Sequence, residues 1–254
     1  MLPQRRHELI LTTLRSEGPA PVRVLAERLG VSQATVRRDL VQLDREGRLT
    51  RVYGGAMAAA DNDEPFAEVA EVHAADKDEV ARRAAELVTD GDTVLLDIGT
   101  TAHRLARQLH DRVLTVITSS LAVYEELKDD AGIQLVLLGG MVRRSYRSMV
   151  GFLTEDALRQ VHAGTLFLGA SGVRHDDGGV HVMDTTVVEV PVKRAMIAAS
   201  DRVVLLADAA KFPGTGLAKV CGPEALDVVV TNAAADAGTC AALAEAGVEV
   251  RRCG

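Results

Sequence analysis

Two groups of side chains in this sequence are of the types and spacings that do chemistry. The first follows a series of short apolar runs: Asp97-Ile98-Gly99-Thr100-Thr101 after Thr93–Leu96, Thr118-Ser119-Ser120 after Ile117, and Gly139-Gly140 after Leu138. Gly169-Ala170-Ser171-Gly172 follows Leu168, and Asp208 with Lys211 follows Ala207. Hydroxyls, glycine amides and a lysine are the groups that hold a phosphate, and the carboxylates of Asp97 and Asp208 can accept hydrogen bonds from sugar hydroxyls. At 97–101 a helix beginning near Ala102 would aim free amides and the positive end of its dipole at an anion. Each residue alone is as readily a turn or cap residue; their recurrence at five strand ends points to a ligand site.

The second group is basic and lies in the first 57 residues. Leu9, Ile10 and Leu14 at helical spacing, with Pro3 before them and Gly18-Pro19 after, predict a first helix. Val22, Leu25 and Leu29 predict a second that stops at Gly30. Ser32 is a natural N-cap for a third, whose inward stripe is Val36, Leu40 and Leu43 and which ends near Gly47. Opposite that stripe, Gln33, Thr35, Arg37 and Arg38 occupy the first turns, where a recognition helix meets base edges. Arg can bridge a guanine edge and Gln an adenine edge. The segment RLTRVYGG then reads as a short β-wing with Arg48 and Arg51 placed to meet phosphates. The whole is a winged helix-turn-helix, with double-stranded DNA as its partner; a protein-binding three-helix module with solvated arginines is the plainer alternative.

Charge supports the division. The chain of 254 residues carries a net −7, but residues 1–57 hold ten Arg and six acidic residues, a net +4, leaving −11 for the rest. A basic head on an acidic body fits a polyanion-binding module attached to something with another task. Residues 56–64 are mostly Ala, Asp and Asn without an apolar period and mark a boundary, so we read 1–57 as the head, 58–75 as linker and 76–254 as the second domain. From Asp76 onward, helix-like stretches such as 77–89 alternate with apolar runs at Thr93–Leu96, Leu114–Thr118, 134–138, 166–168, 203–207 and 228–231. That alternation predicts an α/β domain around a mostly parallel sheet covered on both faces, whose ligands bind beyond the carboxyl ends of the strands. Aromatics are only 3% and Trp is absent, so the core must be aliphatic.

On these residues the chain resembles the DeoR family of bacterial regulators. The run LAERLGVSQATVRRDLVQLDREGRLTRVYGGA is similar to that family's DNA-binding signature. DGDTVLLDIGTT, VLLGG, EVPVKRAMI and LLADAAKF are similar to its sensor domain, a relative of the ribose-5-phosphate isomerase fold. The resemblance implies a repressor of sugar-metabolism genes released by a phosphorylated sugar, with effector contacts at Asp97, Gly99, Thr100, Thr101, Ser119, Gly140, Glu189, Asp208 and Lys211. The chain departs from the common pattern at Ser119, usually Asn, and at Ala210, usually Ser.

The competing reading is a sugar-phosphate isomerase with a DNA-binding head, using Asp97, Asp208 and Lys211 for acid/base work. The related isomerases carry a loop similar to Asp-Gly-Ala-Asp, where this chain has Leu168-Gly169-Ala170-Ser171, so the carboxylates that proton transfer needs are missing. His175, Asp176, Asp177 and His181 flank Gly178-Gly179 and read as a solvated hairpin rather than a metal site. No cofactor is called for. Cys221, Cys240 and Cys253 show neither CxxC spacing nor even number, which fits a reducing cytoplasm, and neither a signal peptide nor a membrane span is apparent. One head covers few base pairs, so a homo-oligomer, dimer or tetramer, is expected.

Overall fold

The computed structural model describes residues 2–17, 20–46, 48–52, 54–58 and 65–253. The expected stops at Gly18-Pro19 and Gly47, and residues 59–64 of the expected linker, lie outside them. The chain divides into two compact units, Met1–Pro65 and Phe66–Gly254.

In the first unit, α1 (Pro3–Glu17), α2 (Val22–Leu29) and α3 (Gln33–Arg45) pack around Ile10, Leu14, Leu25, Val36, Leu40 and Leu43, all essentially inaccessible to solvent. Gly30 closes α2 in the left-handed conformation, φ 63°, which a side chain would disfavour. The Ser32 hydroxyl accepts from the Thr35 amide and caps α3. A buried latch ties α1 to α3: Arg6 donates to both oxygens of Asp39, at 2.5 and 2.8 Å, and His7 Nε2 lies 3.1 Å from Asp39 Oδ1. Burial works against the Asp39 charge, but the bonds from Arg6 and His7 outweigh it and hold the carboxyl below its usual range.

The wing is antiparallel, with β1 (Ala20–Pro21), β2 (Leu49–Val52) and β3 (Gly55–Ala58) in the order β1-β3-β2. The two glycines of RLTRVYGG lead from β2 into β3. Gly54 takes φ 79°, and a Cβ on Gly55 would come within 2.4 Å of the Ala20 carbonyl oxygen, so the close approach of β1 requires glycine there.

The second unit begins at Phe66, inside the stretch read as linker. Phe66, the first residue of α4 (Phe66–Glu71), is buried, and α5 (Ala74–Ala85) starts three residues before the expected helix. Next come β4 (Thr93–Leu96), α6 (Thr100–Arg107), β5 (Leu114–Thr118), α7 (Leu121–Leu127), β6 (Ile133–Leu137), a hairpin of β7 (Met141–Arg143) and β8 (Ser148–Val150), and α8 (Phe152–Leu158). After β9 (Ala163–Gly169) and a second hairpin, β10 (Gly172–Asp176) and β11 (Gly179–Asp184), follow α9 (Val190–Ala198), β12 (Ser200–Leu206), β13 (Ala218–Cys221), β14 (Val228–Asn232), α10 (Ala237–Glu245) and β15 (Glu249–Cys253). Seven strands form one parallel sheet in the order β15-β14-β12-β9-β4-β5-β6.

Successive strand residues enter opposite cores, as a doubly covered sheet requires. Leu95, Leu166, Leu168, Val203 and Leu205 face one core; Val94, Leu96, Phe167, Val204 and Leu206 face the other. From β4 the chain builds outward through β5 and β6, then returns to place β9 on the opposite side of β4. The order therefore reverses between β4 and β9, and ligands of open sheets gather at such a point. The hairpins, β13 and β15 are additions to the six apolar runs read from sequence.

Candidate functional sites

All seven parallel strands deliver their carboxyl ends to one edge, and Asp97, just beyond β4, stands at the reversal. One of its oxygens accepts a 2.8 Å bond from the Gly169 amide at the end of β9 and an ion-paired bond from Lys193 of α9. Lys193 also donates to the Gly169 carbonyl at 3.0 Å and lies 3.5 Å from Asp184 at the end of β11. Burial alone would push the Lys193 ammonium down, but Asp97 and Asp184 overcome it and raise its pKa. One helical turn earlier, Glu189 is inaccessible and accepts from Arg143 of β7 and, at 3.0 Å, from the Ser148 hydroxyl of β8. Burial raises the pKa of Glu189 against the pull of Arg143 and Lys193.

The β7–β8 hairpin lies over this edge. Its backbone is held by the Met149 amide on the Ser119 carbonyl, 2.9 Å, and by the Leu121 amide on the Arg147 carbonyl, 2.8 Å. Tyr146, at its turn, packs edge-on against Phe66 at 5.8 Å and beneath the Arg143 guanidinium at 5.3 Å. Its phenol is pushed up to about 12, first by burial, with Lys193 opposing and Asp184 and Asp97 adding to the rise, so the hydroxyl shares the field of this cluster.

Among the described residues, those buried without a protein partner at this edge include four side-chain oxygens: Asp97 Oδ1, Ser119 Oγ, Glu189 Oε2 and Asp208 Oδ2. A buried polar atom left unpaired costs about 1–3 kcal/mol, so a cluster of four is characteristic of a surface built for a bound polar molecule. Three of them are carboxylate oxygens, which in the charged form accept only; their complement is a molecule rich in hydroxyl or amine hydrogens.

Anion-binding groups flank these acceptors. Gly99 is extended and provides no side-chain cap to α6, which starts at Thr100 rather than near Ala102; Thr100 and Thr101 are buried in its first turn. The first amides of α6 are thereby left to an outside acceptor. Asp208 opens a short 3₁₀ turn, Ala209–Lys211, by accepting from the Ala210 amide at 3.1 Å, and the ammonium of the half-buried Lys211 has no partner among the described residues. Gly140, also expected as a ligand contact, lies where the hairpin approaches α8. A Cβ there would stand 2.0 Å from Thr154 Oγ1 and 2.9 Å from the Val150 carbonyl, so glycine lets the hairpin close on α8.

Lys193, Arg143, Asp184 and Tyr146 were not singled out from sequence. One signal was present for Lys193: it falls four residues after Glu189 in a helix whose neighbouring inward positions are Val190, Val192 and Met196. A lysine in such a stripe needs buried acidic partners. A separate open cleft of about 880 Å³, between α8 and α9, includes Leu158, His162, Arg194 and Ala198 in its lining and none of the candidate residues.

On the first unit, Gln33, Arg37 and Arg38 project outward from α3, with Arg37 donating to Gln33 Oε1 at 3.3 Å and Arg38 to the Ala34 carbonyl at 3.5 Å. Ser32 and Thr35 pair through their hydroxyls at 2.9 Å while building the cap. Arg51 is exposed on β2, its amide held by Asp44, and Arg48 is half-buried 3.9 Å from Glu46. Two arginines and a glutamine on one solvent-facing turn, beside a basic wing, form a surface suited to phosphates and base edges.

A winged helix-turn-helix joined to a doubly wound domain with a polar site at its sheet reversal defines a ligand-sensing transcription regulator. The chain belongs to the DeoR family: residues 6–61 match the DeoR-like helix-turn-helix domain and residues 72–233 the DeoR C terminal sensor domain. It is 37% identical to the transcriptional repressor AccR of Agrobacterium fabrum, over 90% of this chain and 89% of that one. It is 32% identical to the putative aga operon transcriptional repressor of Escherichia coli O157:H7, over 96% and 92%. Among solved structures, ribose 5-phosphate isomerase A from Methanocaldococcus jannaschii is similar over 53% of this chain and 52% of its own, with 20% identity and a TM-score of 0.38.

Proposed function

We propose that this chain represses genes of sugar metabolism and is released from its operator by a phosphorylated sugar bound at the carboxyl edge of the sensor sheet. The observation that carries the reading is the set of buried, unpartnered acceptors at Asp97, Glu189 and Asp208, flanked by the uncapped start of α6 and by Lys211. In this arrangement the phosphate sits at 99–101 and Lys211, and the sugar hydroxyls donate to the carboxylates. The relatives named as repressors support the sign of regulation. Two heads read repeated half-sites, and effector binding favours an arrangement that no longer matches them; a coupling of ~1–3 kcal/mol per site is sufficient. The site senses rather than converts: one oxygen of Asp97 is committed to Lys193 and the Gly169 amide, and the sequence resemblance sets Ser171 against a carboxylate of the isomerase loop.

A thermal-shift screen against matched phosphorylated and unphosphorylated sugars tests this. At 100 times its dissociation constant a ligand stabilises the folded state by ~2.7 kcal/mol, a readily measured rise in melting temperature. A response to one phosphosugar, with none to its dephosphorylated form and with loss of operator binding, is the expected result. Silence across the panel would remove the phosphosugar from the reading, and conversion of the sugar would replace sensing with catalysis.

A further inference from the structure

The outer side of the β7–β8 region carries a concentration of exposed apolar side chains. Met141, Val142, Phe152, Leu153, Val187 and Val188 are between 48 and 70% exposed, and they make up half of the twelve large hydrophobic residues exposed among the described residues. They come from three segments that meet. Met141 pairs with Val150 across the hairpin, Gly151 then leads straight into Phe152 and Leu153, and a Cβ on Gly151 would lie 3.5 Å from the Met141 methyl. Arg143, next to Val142, donates to Thr186 at 3.3 Å and to Glu189, which brings Val187 and Val188 against the same hairpin.

We infer that this face is where two copies of the chain associate. The six side chains expose on the order of 600 Å², at the upper end of what a monomer leaves bare and most of the ~800 Å² each partner contributes to a stable interface. A patch lying on a two-fold axis meets its own copy, and that symmetry matches paired heads on repeated half-sites. The inference rests on the reading of the chain as a paired DNA-binding regulator and names the surface that pairs it. The same segments turn Arg143 and Glu189 inward to the candidate effector site, so the pairing face and the effector site are two sides of one layer.

The test is the mass of the full chain by sedimentation over a range of concentrations. The wild type is expected to be an oligomer of the 27.0 kDa protomer. Val142→Asp with Phe152→Asp is expected to halve that mass or reduce it further, with circular dichroism and melting temperature close to wild type. Val113→Asp, which charges an exposed valine outside the patch, is expected to leave the mass unchanged. If the double variant misfolds, Phe152→Ala serves in its place and should weaken self-association at least tenfold. A monomeric wild type, or patch variants that keep the wild-type mass and association constant, would overturn the inference. Operator binding by the wild type, measured separately, reports on the DNA-binding reading, so the two can fail independently.

Discussion

Replacing Lys193 by Met removes the one ammonium that Asp97, Asp184 and the Gly169 carbonyl share, while nearly preserving side-chain volume. Asp97 keeps its bond from the Gly169 amide, but two buried carboxylates then face each other without a cation. Breaking a buried pair by removing one partner costs about 3–5 kcal/mol, which for a unit of this size is a fall in melting temperature of roughly 10 °C. The pH dependence follows from the direction of the lysine shift. Its folded pKa lies above the ordinary value, so its contribution is complete below that value and is lost only as pH rises through the folded one. Between pH 5 and 9, then, the lysine itself gives no slope. The deficit from losing the lysine should therefore be present in full at pH 6 and at pH 8 alike. Calorimetry of the full chain at the two pH values is the assay, with Lys193→Arg as the variant that keeps the charge. A Lys193→Met protein melting within about 1 °C of wild type at pH 8 would refute the buried ion cluster.

Other outcomes follow from the same geometry. Arg37→Ala should weaken operator binding by ~1–3 kcal/mol in a band-shift titration while the sensor keeps its thermal response to ligand; equal loss of both would contradict two separable modules. Lys211→Ala should leave operator binding intact and raise the effector concentration needed for release at least tenfold, whereas release at the wild-type concentration would place the phosphate elsewhere. Asp39→Asn should unfold the head several degrees earlier at pH 7. Because the Asp39 carboxyl is held below its usual range, the advantage of the wild type over this variant is present above about pH 4, the ordinary aspartate value, and disappears as pH falls through the folded one. A constant gap down to pH 2 would show that the Arg6–Asp39 latch contributes nothing.

The elements of the head were legible because their determinants are local. A cap at Ser32, a left-handed glycine at Gly30 and apolar residues three and four apart specify helices without reference to distant parts of the chain. Six of the seven parallel strands were legible for a similar reason, since a strand covered on both faces must be a continuous apolar run. The β7–β8 hairpin, β13 and β15 escaped because short, partly exposed strands carry no such run: Glu249–Cys253 reads as a charged tail until β14 supplies its hydrogen bonds. The glycine turn of β10–β11, by contrast, was readable.

The candidate site divides along the same line. Asp97, Ser119 and Asp208 could be found from sequence because parallel strands all present their carboxyl ends to one edge, so a list of strand ends is already a list of neighbours. Lys193, Arg143, Asp184 and Tyr146 could not, since they come from a helix, two hairpins and a turn whose approach to Asp97 is set by packing. Sequence by itself determined the two modules and the edge on which a ligand would sit, because periodicity and caps act over a few residues. Only the tertiary structure decided which charges meet there and which carboxylate oxygens remain open, because burying a charge depends on partners that arrive from 96 residues away.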